Sequence, residues 1–276
     1  MEGGAELRRQ AFHLGTGECT RFCIATYPRA AARGALLYVH PFAEEMNKCR
    51  RMAAISSAAF AEQGWLVLQP DLHGCGDSAG DFADATWDGW LDDISLAVAW
   101  LRVNAPGPMV LWSLRAGSVL VADWLSRQHA SVPLMLWQPV INGRQYLSQF
   151  LRLKAAGDML TEADARVGMN DARQDIIAGR PVEVAGYILS PALARGLEAS
   201  ALILPDAYGA RVGVMEINAA GTASPGVAAL TAGWSKAGVR VDTSVVAGAA
   251  FWQTIEIQTA PDLIEAGCAW LKGIVC

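Results

Sequence analysis

Six short, apolar-rich runs separated by stretches of helical period constrain this chain more than any other feature. They are ALLYVHPF at 35–42, WLVLQPDL at 65–72, PMVLWSL at 108–114, PLMLWQPV at 133–140, RVGVMEI at 211–217 and VRVDTSVV at 239–246. A run with little or no polar alternation reads as a strand buried on both faces, which in a single domain means a parallel sheet covered by helices. The intervening segments supply those helices. Residues 44–63 place Met46, Met52, Ile55, Ala59 and Phe60 at helical spacing and stop at Gly64. Further helices are predicted over 86–103, 116–128, 225–237 and 261–273, the last with Pro261 at its first position. Strict strand–helix alternation gives right-handed crossovers and a doubly wound sheet. Upstream, LRRQAFHLG and CTRFCIATYP flank Gly15-Thr16-Gly17 and read as an antiparallel hairpin at the sheet edge. Residues 143–200 break the rhythm, and 143–195 reads as a lid-like insertion.

Composition removes several classes of function. With 53% hydrophobic and 18% charged residues the 276-residue chain can bury one large core, so a single globular domain is expected and disorder is excluded. The net charge is −5, and the densest basic group, Lys48, Arg50 and Arg51, is too short for a phosphate-binding face, so no nucleic-acid partner is expected. The segment MEGGAELRRQ has no apolar core of a secretory leader and no run reaches the ~18 apolar residues of a membrane helix, which predicts a cytoplasmic protein without a membrane span. Cysteines 19, 23, 49, 75, 268 and 276 form no CxxC pair, so no metal is expected and most should be buried, reduced thiols. No cofactor is expected.

Ligands of open α/β sheets sit beyond the carboxyl ends of the strands, so the residues just after each strand are the ones to read. After the first parallel strand stand His40, Pro41 and Phe42, followed by Glu44 and Glu45. A backbone N–H here can face a developing oxyanion, with His40 as a candidate side chain; the structural alternative is a histidine bonded into a neighbouring loop. DLHGCGDSAGDF at 71–82 is a glycine-rich loop in which Asp71, Asp77 and Ser78 read as loop-forming partners more than as acids and nucleophiles. His73 stands close enough in sequence to activate Cys75, but two residues apart on a tight loop is poor geometry, and a buried thiol is the better reading.

SLRAG at 113–117 decides the chemistry. A strained strand–turn–helix needs small residues two before and two after its tip, and Ser113 and Gly117 meet that need only if Arg115 is the tip, flanked by Leu114 and Ala116. Arginine is always protonated and offers only donors, so it cannot be an acyl-transfer nucleophile, though it can bind a carboxylate or phosphate bidentately at a helix N-terminus. The structural alternative is an internal ion pair with Glu44, Glu45 or Glu216. Residues 218–224 contain no Asp or Glu, leaving Glu216 as the nearest acid; after the last strand Phe251 and Trp252 stand where a histidine base would be expected. No histidine lies beyond His129.

VHPFAEEMNKCRRM (39–52), GCGDSAGDF (74–82), LWSLRAG (111–117), LWQPVINGRQYLSQFLR (136–152) and FWQTIEI (251–257) together resemble the exosortase A system-associated hydrolase 2 family of the α/β-hydrolase superfamily. The resemblance implies an α/β-hydrolase fold: a mostly parallel eight-stranded sheet with helices on both faces and a lid-like insertion. It also implies that Arg at the elbow is a family trait, with Ser113 where Gly is usual. The family's gene neighbourhoods encode exopolysaccharide synthesis and the sorting of proteins with a PEP-CTERM tail, which names a pathway and no substrate.

The expected function is therefore a hydrolase-fold protein without the usual Ser-His-Asp triad. Its pocket, drawn from His40, Phe42, Glu44, Glu45, His73, Leu114, Arg115, Ala116, Phe251 and Trp252 beneath the insertion, would hold an anionic or an acyl- or carbohydrate-derived small molecule. The alternative is an active hydrolase or acyl transferase acting on an ester, thioester or amide through displaced groups, with His40 or His73 as base, a water polarised by Arg115, and Glu216 as the acid. A scaffold role, as a homodimer or with another pathway protein, is a third reading.

Overall fold

The computed structural model describes residues 7–17, 20–157 and 162–274, leaving Cys19, Cys276 and part of the expected insertion outside the described residues. Eight strands form one sheet in the spatial order β1-β2-β4-β3-β5-β6-β9-β10. The strands are β1 (Arg9–Leu14), β2 (Arg21–Thr26), β3 (Gly34–Val39), β4 (Trp65–Pro70), β5 (Met109–Leu114), β6 (Leu134–Trp137), β9 (Val212–Ile217) and β10 (Val241–Val246). β1 and β2 run antiparallel at one edge and the remaining strands are parallel, with the order reversing around β3.

Two apolar cores cover the two faces of the sheet. Helices α1 (Glu44–Glu62) and α8 (Pro261–Lys272) bury Met52, Phe60, Leu263 and Trp270 against Val110, Trp112 and Trp137. On the other face α2 (Trp87–Asn104), α3 (Gly117–Arg127) and α7 (Pro225–Lys236) pack over Leu37, Leu111 and Leu136. Burial on both sides is why β3 has no exposed residue at any position and why its sequence shows no polar alternation. α2 and α7 are capped by Thr86 and Ser224, whose side chains accept the Gly89 and Val227 amides, and Pro261 opens α8 as its position in sequence predicts.

The strands stop earlier than their apolar runs. The run at 35–42 leaves the sheet at Val39, and the chain turns at Ala43 (φ 49°) before entering α1; the run at 133–140 ends at Trp137, followed directly by Gln138 at φ 44°. Both reversals throw side chains above the carboxyl edge of the sheet. Between β6 and β9 the chain forms α4 (Gly143–Gly157), α5 (Glu162–Ile177), a hairpin of β7 (Val182–Val184) with β8 (Tyr187–Leu189), and α6 (Pro191–Ala199), running four residues past the expected end of the insertion. Gly143 lets α4 lie against α6: a Cβ there would sit 1.9 Å from the Leu197 carbonyl oxygen. Among the described residues no helix is long and apolar enough to cross a membrane.

Candidate functional site

Arg115 follows β5 directly, in the two-residue turn to α3, with φ 54°, the left-handed conformation that a non-glycine residue adopts only where its surroundings enforce it. The enforcement is visible. Its amide donates to the Trp137 carbonyl at 3.0 Å, and its carbonyl accepts from the amide of Ser118 (3.0 Å) and from that of Val140 (3.3 Å). Gly117 must be glycine for α3 to come this close to β3, since a Cβ would meet the backbone carbonyl oxygens of Val39 at 2.6 Å and His40 at 3.1 Å. Ser113 stays within β5, fully buried, its hydroxyl without a hydrogen-bond partner among the described residues. The tip of the turn therefore carries a guanidinium.

That guanidinium is held from three sides. Glu45, at the start of α1, accepts from Nε at 3.3 Å with both carboxylate oxygens and from Nη2 at 3.2 Å, both side chains being largely buried. The rings of Tyr146 and Trp252 lie 5.6 and 5.4 Å from the guanidinium carbon, within cation–π range. Burial pushes the Glu45 carboxyl above its ordinary range, opposed by the Arg115 charge and by hydrogen bonds from Arg115 and Tyr146. Burial raises Tyr146 far more strongly, and the adjacent Glu45 carboxylate adds to it.

Around this pair is a cavity of about 260 Å³ lined by Glu44, Glu45, Lys48, Arg115, Tyr146, Gln149, Phe150, Leu153, Trp252 and Gln253. Two buried polar atoms in its wall have no partner among the described residues, Glu44 Oε2 and the Trp252 indole nitrogen. Desolvation pushes the Glu44 carboxyl upward. Tyr146, Gln149, Phe150 and Leu153 come from one face of α4, at the i, i+3, i+4, i+7 spacing of a helical stripe; that spacing was the sequence signal for residues not anticipated at the site.

The other sequence candidates lie apart from this cavity. His40 is buried with both ring nitrogens engaged: Nε2 accepts from the Leu72 amide at 3.2 Å, so Nδ1 carries the proton and donates to the Pro41 carbonyl at 2.8 Å. Burial lowers its pKa, and a neutral ring with no free lone pair is not placed to act as a base. His73 is held by its backbone, which donates to Asp93 Oδ2 at 2.7 Å and accepts from the Trp90 indole at 3.0 Å, and its ring does not reach the cavity. Glu216 closes the β9–α7 loop, accepting from the Ser224 amide at 2.8 Å and hydroxyl at 2.7 Å. Leu114 and Phe251 are core residues behind the turn. Phe42 anchors an aromatic cluster in which Phe82, Trp90, Tyr146 and Phe150 all meet its ring edge-on, fastening the insertion to the sheet.

The glycine-rich loop is structural. Asp71 accepts a two-pronged ion pair from Arg50 at 3.1 and 3.3 Å and the Asp77 amide at 3.1 Å, while Ser78 bridges the Asp71 carbonyl and the Phe22 amide. Cys75 is buried and burial pushes its thiol strongly upward, away from thiolate chemistry. Among the described residues no group of three or more His, Cys, Asp or Glu could hold a metal ion. Neither the Phe42 nor the Ala116 amide has a hydrogen-bond partner among the described residues.

The family model described as serine aminopeptidase, S33, matches residues 30–203. No curated protein matches the sequence. Among solved structures, the esterase Est1E from Butyrivibrio proteoclasticus with bound ferulic acid superposes with a TM-score of 0.66 at 15% identity, over 96% of this chain and 99% of the other. A thermostable carboxyl esterase from Bacillus coagulans in complex with glycerol gives 0.62 at 18% identity, over 99% and 100% of the two chains. A lidless α/β serine hydrolase from Xanthomonas campestris, XC6422, gives 0.57 at 13% identity, over 96% and 94%. At these identities the structural matches speak to the fold: that of the α/β-hydrolases.

Proposed function

Because the chain belongs to the serine aminopeptidase S33 family of α/β-hydrolases, we propose that it keeps the family's scaffold without its Ser-His-Asp chemistry and uses the Arg115 cavity to bind a ligand. The observation that carries this reading is the guanidinium at the tip of the β5–α3 turn, already paired with Glu45. Residues 218–224, after β9, contain no acid, and no histidine follows β10.

The chemistry of the walls favours a carbohydrate-derived ligand, carrying an acyl or acidic substituent on its Arg115 side. Charge in the lining is balanced, Arg115 and Lys48 against Glu44 and Glu45, so a bare anion must compete with Glu45 for the guanidinium. The unpartnered Glu44 oxygen needs a donor and the unpartnered Trp252 indole N–H needs an acceptor. A sugar hydroxyl is both, and its ring can lie on Trp252 or Tyr146. Within the same reading, the ligand belongs to exopolysaccharide or protein-sorting metabolism, and the protein is cytoplasmic, in keeping with four free cysteines among the described residues.

The free Phe42 and Ala116 amides favour a second reading, an acyl hydrolase or transferase that retains oxyanion donors. Titrations with N-acetylglucosamine and glucuronic acid, run beside a panel of aryl esters and thioesters, separate the two. Binding weakened by Trp252→Ala and Arg115→Ala without turnover supports the binder. Ester or thioester turnover lost in Arg115→Ala supports the enzyme.

A further inference from the structure

A second cavity lies beside His40, in the interlayer between α1 and the β1–β2–β4–β3 half of the sheet. Its volume is about 220 Å³. Phe22 and Ile24 of β2, Pro70 of β4 and Met46, Ala53 and Ala54 of α1 make its apolar walls. The α1 residues fall at a helical spacing, so one face of that helix forms a continuous roof. His40 lines this space and not the Arg115 cavity, and no residue lines both.

The two ends of the cavity differ in chemistry. Inside is Tyr38, buried on β3, whose hydroxyl has no hydrogen-bond partner among the described residues. His40 cannot supply one, since both its ring nitrogens are engaged. At the mouth are two guanidinium groups. Arg50 is neutralised by its two-pronged pair with Asp71. Arg9, on the exposed edge strand, reaches over the opening to the Ala54 carbonyl at 3.3 Å and has no carboxylate partner among the described residues. A hydroxyl buried without a partner is costly unless something satisfies it, and an uncompensated cation over an apolar slot favours an anion.

We propose that this cavity is a binding site for a small single-ring carboxylic acid, entering ring first, with its carboxylate on Arg9 and a polar ring substituent at the Tyr38 hydroxyl. Size sets the class: a cavity of roughly 150 Å³ admits benzene, so this one has room for one substituted ring and not for two. Polarity sets the direction, since the buried Tyr38 offers an uncharged, unpartnered hydroxyl and the exposed Arg9 offers charge at the mouth. The site is independent of the Arg115 cavity and of whatever that cavity binds.

Calorimetric and ligand-observed NMR titrations with benzoate and 4-hydroxybenzoate test the proposal. Both should bind saturably, 4-hydroxybenzoate more tightly. Arg9→Gln, on a solvent-exposed strand where folding is not at stake, should weaken both by about fivefold, the scale of one exposed charge contact. Tyr38→Phe should remove the preference for the hydroxylated acid, Ala54→Phe should abolish binding of both by filling the slot, and Arg115→Ala should change neither. Absence of saturable binding would overturn the proposal. So would affinity indifferent to Arg9→Gln, or binding that survives Ala54→Phe and is lost in Arg115→Ala, which would put the acids in the other cavity.

Discussion

Replacing Arg115 with Met should destabilise the protein by far more than an ordinary surface change, and in a way that depends on pH. Met keeps the bulk and any strain of the left-handed turn but removes the charge, leaving the Glu45 side chain, only 8% exposed, without its cation. Stranding one partner of a buried pair costs about 3–5 kcal/mol. Glu45 retains its hydrogen bond from Tyr146 and is already pushed toward its neutral form, which places the expected cost near the lower end, about 3 kcal/mol at pH 7. For a chain of this size that corresponds to a fall in Tm of roughly 6–12 °C. The pH sign follows from linkage. A carboxyl whose folded pKa lies above the unfolded value of 4.5 binds its proton more tightly when folded, so that contribution is present below pH 4.5 and lost as pH rises through the folded pKa. Lowering the pH from 7 to 5 should therefore narrow the gap between the variant and the wild type. The double variant Arg115→Met, Glu45→Met should return to within about 1 kcal/mol of wild type, because an apolar pair of similar volume removes both desolvation penalties. Chemical denaturation at the two pH values reads all of this. A single variant as stable as wild type at pH 7, or a double variant no better than the single, would refute the account of the pair.

Two further outcomes follow from the packing around the turn. Gly117→Ala should cost about 2–3 kcal/mol by denaturant midpoint, because its Cβ meets backbone oxygens at 2.6 and 3.1 Å that have no side-chain freedom to move away. His40 is held neutral with its pKa below 6.5; its contribution to stability is present above pH 6.5 and falls as the solution is acidified toward the folded value, so wild type should lose stability over that interval while His40→Gln shows a flatter profile. A steeper profile in the variant would contradict the two-bond lock on the ring.

The parallel strands and their alternation with helices were legible because burial on both faces erases polar alternation in strands such as β3 and β5, and because helical stripes separate them. The ends of β3 and β6 were not legible, since the turns at Ala43 and Gln138 put residues without glycine's freedom at positive φ, which no propensity announces. Arg115 could be placed from sequence by steric need alone, with small residues at 113 and 117, and Glu45 was one of three carboxylates within its expected reach. Choosing among the three required the start of α1, which a one-residue shift would rotate by about 100°. The contribution of α4 was hidden for a different reason: its stripe of Tyr146, Gln149, Phe150 and Leu153 is readable, but nothing local says that the insertion folds back over Phe42. Phe251 and Trp252 are adjacent residues of one turn with different surroundings, and only the second lines the cavity.

The intact mass of the protein after incubation with an alkyl fluorophosphonate most directly tests whether the turn after β5 offers a cation in place of an activated nucleophile. With Arg115 at its tip and Ser113 shut inside the strand, the mass should stay that of the unmodified chain. A single stoichiometric adduct, mapped to Ser113 or to any hydroxyl or thiol around the Arg115 cavity, would contradict it.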